Sequence, residues 1–129
     1  GVVDIINRMR SPFNVSYSAI VAGIAATKDD NFIKLSQEHN KKWLKWTTDK
    51  IRALNLVVPD SVCNFVLVRF PEEKVNRLSA EAADDFLKAK GIIVRRMGGY
   101  GLPDALRISI GTEEEMRITV NTLAEYVSV

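Results

Sequence analysis

The stretch GGYGLPDALRISIGTEEE, residues 98–115, decides the fold and contains the most informative arginine of the chain. Its middle part alternates apolar residues with small or charged ones, which is the period-2 pattern of a strand with one face toward a core. The apolar face carries Leu106, Ile108 and Ile110, and the other face carries Ala105, Arg107 and Ser109. A guanidinium on such a face can bind a carboxylate through two parallel hydrogen bonds. An ordinary surface arginine is the alternative.

A second arginine precedes this strand. Arg95 lies in a predicted strand at residues 92–96, and the loop at residues 97–104 between the two strands contains three glycines. Glycine lets backbone come close to a ligand. Two guanidiniums beside such a loop can hold two anionic groups or one dianion. The neighbouring Arg96 points to the opposite face and takes the place of Arg95 if the register slips by one residue.

The remaining elements predict an α+β fold, with a mixed or antiparallel sheet of three to four strands and helices packed on it in two layers. Thr112 and Glu115 have the spacing of a capping box, and Gly91 suits the end of a helix. Helices are predicted at residues 2–9, 16–28, 30–54, 79–90 and from 112 onward, and strands at 56–58, 62–70, 92–96 and 105–110.

The first helices are unusually apolar. Residues 16–28 are small or apolar on all sides, which predicts a helix buried by several neighbours and suggests a neighbour outside this chain. The next helix has one apolar face, formed by Phe32, Leu35, His39, Trp43, Trp46 and Leu54. In the fourth helix Ala82, Ala83, Phe86 and Leu87 are expected to face inward.

Composition limits the function classes. The 129 residues suit one domain, and 47% hydrophobic residues with a net charge of +2 are globular rather than disordered. Cys63 lies in an apolar run, so we expect a buried, reduced thiol and a cytoplasmic protein. No apolar run has the length needed to cross a bilayer. The chain starts without methionine, inside what looks like a helix, and we expect a part of a longer protein.

Catalytic groups are not recognisable in the sequence. His39 is the single histidine and has no partner at ligand spacing, so no metal site is expected. No serine, cysteine and histidine arrangement suits nucleophilic catalysis. Asp84 and Asp85 are expected on a solvated helix face. The residues alone therefore indicate an anion-binding edge without a catalytic group.

Four segments, in order, carry a resemblance to a known family: RSPFNVSYSAIVAGIAA from residue 10, SVCNFVLVRF from 61, GIIVRRM from 91 and LPDALRISIGTEEE from 102. Together they resemble the C-terminal small domain of the histidinol-phosphate aminotransferases, within the fold type I group of pyridoxal-phosphate enzymes. The resemblance covers residues 1–129 and implies that residues 1–30 form an inter-domain helical segment. It also implies a separate large domain that carries the cofactor.

The resemblance implies roles for single residues. Arg107 matches the family arginine that holds the substrate α-carboxylate, and Arg95 the position that helps to hold the phosphate of histidinol phosphate. Asn14, with Phe13, matches the segment near the mouth of the active site. The lysine that binds pyridoxal phosphate belongs to the large domain. We therefore expect this chain alone to bind no cofactor and to be inactive.

The implied parent reaction transfers an amino group from glutamate to imidazole-acetol phosphate and gives 2-oxoglutarate and histidinol phosphate. The parent enzyme is expected to be a homodimer. No nucleic-acid or membrane partner is expected.

Three alternatives stay open. The first is the small domain of an aminotransferase for aromatic or other amino acids. The second is a small basic nucleic-acid module, suggested by VRRMGGYG and the lysine-rich face of the third helix. The third is self-association through the apolar helix at residues 16–28.

Overall fold

The computed structural model describes residues 1–10, 13–71 and 78–128. It contains two compact units, Gly1–Ser36 and Gln37–Val129, which are described separately. In chain order the elements are α1 (Val2–Met9), α2 (Tyr17–Ala26), α3 (Asp30–Arg52), β1 (Phe65–Arg69), α4 (Ala80–Ala89), β2 (Arg95–Arg96), β3 (Ala105–Ser109) and α5 (Glu113–Ser128). A short 3-10 turn, Gly98–Tyr100, lies between β2 and β3.

The sheet of the second unit has three antiparallel strands in the order β1-β3-β2. Its central strand is β3, in which Leu106 and Ile108 are almost completely buried. The β1 residues opposite them, Val68 and Val66, are fully buried as well. The predicted α+β class is therefore confirmed, with the apolar face of β3 directed toward the core as its period-2 pattern requires.

Helices cover this apolar face of the sheet. The core combines strand residues with one face of α4 and one face of α5, together with the end of α3. Its helical members include Ile51, Ala80, Ala83, Leu87, Val120 and Leu123. Burial of apolar area of this kind is the main favourable term in folding. The sheet is thus supported on its apolar face by a packed layer of helices.

Local signals in the sequence fix the ends of the helices. The Ser79 hydroxyl accepts a hydrogen bond from the Ala82 N–H at 3.1 Å and caps α4. Gly91, just after α4, has φ +80°, a left-handed conformation that suits glycine and ends the helix. At α5 the Thr112 N–H donates to Glu115 Oε2 at 2.7 Å, and the Glu115 N–H donates to Thr112 Oγ1 at 3.3 Å. The predicted capping box is therefore present.

The first unit consists of α1, α2 and the start of α3. The Ser16 hydroxyl caps α2 by accepting from the Ala19 N–H, and the Asp29 carboxylate accepts from the Phe32 N–H at the start of α3. Neither α1 nor α2 contains a buried residue. The helix at residues 16–28 is thus exposed in the described structure, and its burial by a neighbour outside this chain stays a prediction. No helix among the described residues is long and apolar enough to span a membrane.

The strands are shorter than their sequence patterns predict. The run 62–70 forms a strand only at Phe65–Arg69, because the Ser61 hydroxyl accepts the Cys63 N–H in a local turn that competes with the strand ladder. The run 56–58 contributes one bridge, between Val57 and Arg69, and 92–96 contributes Arg95–Arg96. Cys63 is exposed rather than buried, because it lies in this turn before β1.

The inward faces of two helices also differ from the prediction. In α4 the buried residues are Ala80, Ala83, Asp84 and Leu87, an i, i+3, i+4, i+7 face that includes a carboxylate. Asp84 is therefore not solvated, and it forms an ion pair with Lys88 one turn later. In α3 Trp43 is buried, whereas Phe32 and Leu35 are both 63% exposed. The predicted apolar face is used only over the second half of that helix.

The capping box at α5 predicts a pH dependence of stability. Hydrogen bonds from the Thr112 N–H and hydroxyl stabilise the Glu115 carboxylate and lower the pKa of Glu115 below its ordinary value. A lowered folded-state pKa gives stability that is present above the unfolded pKa and is lost as the pH falls through the folded pKa. We therefore expect Glu115→Gln to lower the urea midpoint at about pH 6 and to have little effect at about pH 3. An equal difference at both pH values would contradict the capping role of the charge.

Candidate anion-binding site

Arg95 and Arg107 lie directly opposite each other on neighbouring strands. The register pairs Arg95 of β2 with Arg107 of β3. Opposite residues of an antiparallel pair project from the same face with their Cβ atoms about 5 Å apart. The sheet thus brings together the two arginines that the sequence selected, on the face that points away from the core.

Arg107 packs against the ring of Phe65. Its side chain is half-buried, and the guanidinium carbon lies 4.9 Å from the centre of the Phe65 ring in β1. Its Nε atom is buried and has no hydrogen-bond partner within the described ranges. A buried donor without an acceptor costs about 1–3 kcal/mol. The geometry therefore presents a pre-oriented guanidinium with an unused donor.

Arg95 is exposed and has a different environment. Its Nη2 donates a hydrogen bond to the Tyr100 hydroxyl at 3.0 Å. The guanidinium carbon also lies 5.4 Å from the centre of the Tyr100 ring, within the range of a cation–π contact. Tyr100 belongs to the glycine-rich loop between β2 and β3. That loop therefore contacts the arginine that precedes it.

Arg96 has the opposite orientation. Its register partner is Leu106, a core residue, and its Nη1 forms an ion pair with Glu81 of α4 at 3.0 Å. A slip by one residue would exchange the two arginines. The observed register places Arg95, and not Arg96, beside Arg107.

Most of the described arginines have a carboxylate partner, whereas Arg10 bonds to the Asn7 amide oxygen instead. Among the described residues, five arginines form ion pairs: Arg8, Arg52, Arg69, Arg96 and Arg117. No carboxylate within the described ranges is paired with Arg95 or Arg107. Like charges directly opposite each other on a sheet destabilise it. A bound anion between the two would remove the repulsion.

An open groove begins at this pair. It has a volume of about 660 Å³ and is lined by both arginines and by apolar residues that include Ile93, Val94 and Met116. The groove exists because β2 begins only at Arg95, so the continuation of β3 lacks a neighbour on that edge. The Ile110 N–H bonds to Asn64 on the β1 side, and strand alternation therefore directs the Ser109 N–H and C=O into the groove. The groove offers charge, backbone polar groups and an apolar wall.

The acidic residue at the groove does not neutralise the arginines. Glu115 lines the groove, but its carboxylate folds back to the N-terminus of α5 and binds Thr112. A Cβ atom at Gly111 would lie only 3.3 Å from Glu115 Cδ, so the glycine leaves room for this fold-back. The helix cap thus keeps the carboxylate of Glu115 bound to Thr112.

Two further contacts anchor the segment that follows β3, and the sequence did not reveal them. The His39 Nε2–H of α3 donates to the Gly111 carbonyl at 2.8 Å. The Arg117 guanidinium lies 5.3 Å from the ring centres of both Trp43 and Trp46. A single histidine carries no sequence signal for such a contact, because its partner is a backbone carbonyl 72 residues away.

The described lysines lie at the surface. A lysine that forms a Schiff base is normally activated by desolvation or by a neighbouring cation. All eight described lysines are exposed, and Lys45, Lys88 and Lys90 are paired with carboxylates. None of these eight lysines is therefore desolvated.

Asn14, the third predicted site residue, belongs to the first unit. It lies between α1 and α2 and is exposed, as is Phe13, with 89% of its surface accessible. Its predicted contact with a ligand stays a prediction.

Comparisons with known proteins agree on one family. Residues 1–123 match the family described as aminotransferase class I and II. The histidinol-phosphate aminotransferase of Paramagnetospirillum magneticum is 51% identical over 126 residues, which make up 98% of this chain and 34% of that protein. The histidinol-phosphate aminotransferase of Nitrobacter hamburgensis is 43% identical over 127 residues, with the same two coverages of 98% and 34%. The chain spans about a third of the length of these relatives.

A solved structure gives the same result for the fold. A Burkholderia pseudomallei protein assigned as an aminotransferase superposes with a TM-score of 0.76 at 30% sequence identity. The match covers 98% of this chain and 37% of that protein. The arrangement of helices and strands described above is therefore shared with a longer protein.

Removal of the Arg107 charge is expected to stabilise the protein. Arg107→Leu removes a buried donor without an acceptor and one of two opposed charges, and it leaves an apolar side chain beside Phe65. We expect the free energy of unfolding in urea, without added anions, to rise by about 1 kcal/mol. Arg69→Leu on the same sheet face breaks the ion pair with Asp104 and should destabilise the protein. Equal destabilisation by both changes would show that Arg107 has a structural role.

Proposed function

Because this chain belongs to the class I and II aminotransferase family, we propose that residues 1–129 form the C-terminal small domain of a histidinol-phosphate aminotransferase. The curated relatives at 51% and 43% identity carry that name, which supports the substrate assignment. They are about three times as long as the matched region, so the proposal includes a large domain outside this chain. The parent reaction moves an amino group between glutamate and imidazole-acetol phosphate.

One observation carries this proposal: Arg95 and Arg107 face each other without a carboxylate partner among the described residues. Arg107 is the more buried of the two, so it suits a group that every substrate presents at the same place. We assign to it the α-carboxylate of glutamate. Arg95 lies nearer to solvent and assists with a second anion, the phosphate of histidinol phosphate. The apolar side of the groove separates this charged end from the core.

The role of the chain is then to bind and orient the substrate. In this family pyridoxal phosphate supplies the amino-transfer chemistry, and the protein supplies binding, orientation and electrostatics. The described lysines of this chain do not fit the cofactor-binding role, so the cofactor belongs to the proposed large domain. The isolated chain should bind anions and catalyse no transamination.

The apolar first unit fits an inter-domain role for residues 1–30. Large apolar side chains of α1 and α2 are exposed, among them Val2, Met9, Tyr17 and Ile24. Exposed apolar surface of this extent usually marks an interaction site. We assign it to contact with the large domain, with Asn14 near the substrate and a homodimer as the complete enzyme. Self-association of the isolated chain through the same surface follows from this assignment.

An aminotransferase for aromatic or other amino acids is the second candidate. Arg107 would serve such an enzyme equally well, since every amino acid carries an α-carboxylate. Arg95 favours the first candidate, because a second guanidinium without a carboxylate partner among the described residues suits a substrate with a second anion. Comparing histidinol phosphate with phenylalanine as amino donors for the full-length protein separates the two. A clear preference for phenylalanine would contradict the proposed substrate.

The assignment of Arg107 predicts the effect of its removal from the full-length enzyme. Arg107→Ala deletes a bidentate pair with the α-carboxylate and should lower kcat/KM for glutamate roughly 100-fold, equivalent to about 3 kcal/mol. Arg107→Lys should recover only part of this loss, because an ammonium lacks the planar fork. Arg96→Ala, which removes a guanidinium on the other face, is the matched control. Unchanged kcat/KM in Arg107→Ala would refute the assignment.

A further inference from the structure

Tyr100 lies where the loop after β2 returns toward Arg95. The 3-10 turn Gly98–Tyr100 ends at Gly101, whose φ of +77° is a left-handed conformation that favours glycine. The turn brings the Tyr100 ring to 5.4 Å from the Arg95 guanidinium carbon and its hydroxyl to 3.0 Å from Nη2. The loop thus makes two separate contacts with one side chain.

We propose that Tyr100 is a positioning residue that orients the Arg95 guanidinium toward the second anion of the substrate, beside the group held by Arg107. This inference rests on the proposed function, in which Arg95 binds the second anion of the substrate. An exposed arginine samples many rotamers, and restricting them costs conformational entropy when a ligand binds. The two contacts with Tyr100 remove part of that cost before binding.

Arg95 and Arg96 are oriented by partners that differ in charge. Arg96, the neighbour in sequence, is oriented by the carboxylate of Glu81, which also neutralises its charge. Arg95 is oriented by a neutral phenol, which accepts one hydrogen bond and leaves the positive charge intact. A guanidinium has five N–H donors, so four remain for a ligand. Tyr100 therefore fixes the direction of Arg95 without reducing its attraction for an anion.

The ring and the hydroxyl make separable contributions. Tyr100→Phe keeps the cation–π contact and loses the hydrogen bond, whereas Tyr100→Leu loses both. Tyr100 is 64% exposed, so neither change should disturb folding, and the thermal midpoint checks this. In the full-length enzyme we expect KM for histidinol phosphate to rise roughly 3-fold for Tyr100→Phe and roughly 10-fold for Tyr100→Leu, with kcat nearly unchanged.

A double-mutant cycle tests whether Tyr100 acts through Arg95. The variants are Tyr100→Leu, Arg95→Gln and the combination, with Arg96→Gln as the matched control. The readouts are KM for histidinol phosphate and the inhibition constant of inorganic phosphate. We expect both constants to rise in each single variant. In the Arg95→Gln background, the further change Tyr100→Leu should have no effect.

Three other results would overturn the inference, each in a different way. If Arg95→Gln raises both constants and Tyr100→Leu does not, the site stands and the positioning role of Tyr100 is wrong. If Tyr100→Leu has the same effect with and without Arg95, Tyr100 contacts the ligand itself. If Arg95→Gln changes neither constant, the proposed role of Arg95 fails, and the role of Tyr100 fails with it.

Discussion

The register between β2 and β3 is the constraint on which the site depends. It places Arg95 opposite Arg107 and directs Arg96 to the other face, where Glu81 neutralises it. Two guanidiniums held opposite each other repel, and one of them has a buried donor without an acceptor. Such an arrangement costs stability in the absence of a ligand. A bound anion between the two guanidiniums would offset their repulsion.

Packing on the other side of the sheet holds this costly arrangement in place. Leu106 and Ile108 alternate with Arg107 along β3 and are buried against α4 and α5, so a one-residue slip would expose them. After β3, the hydrogen bond from His39 fixes the Gly111 carbonyl. The capping box then keeps the Glu115 carboxylate bound to Thr112. The core therefore stabilises a register that the charges alone would oppose.

The sequence was most informative where a local rule determines the outcome. The alternation around Arg107, the cap at Thr112 and the helix end at Gly91 depend on near neighbours, and the structure confirms all three. It was less informative where distant partners decide. The contact of His39 with Gly111 and the burial of Asp84 depend on tertiary packing, which periodicity does not encode. The four family-like segments supplied the substrate assignment, which no local rule contains.

The most direct measurement of the central claim is a titration of the protein with inorganic phosphate, followed through the arginine Nε–H signals in NMR. The pair of opposed guanidiniums predicts that the signals of Arg95 and Arg107 shift together and saturate with one binding constant. The signal of Arg96 should stay in place, and sodium chloride at equal ionic strength should shift none of the three. Arg107 unmoved by phosphate, or all three arginines shifting in parallel with ionic strength, would contradict the claim.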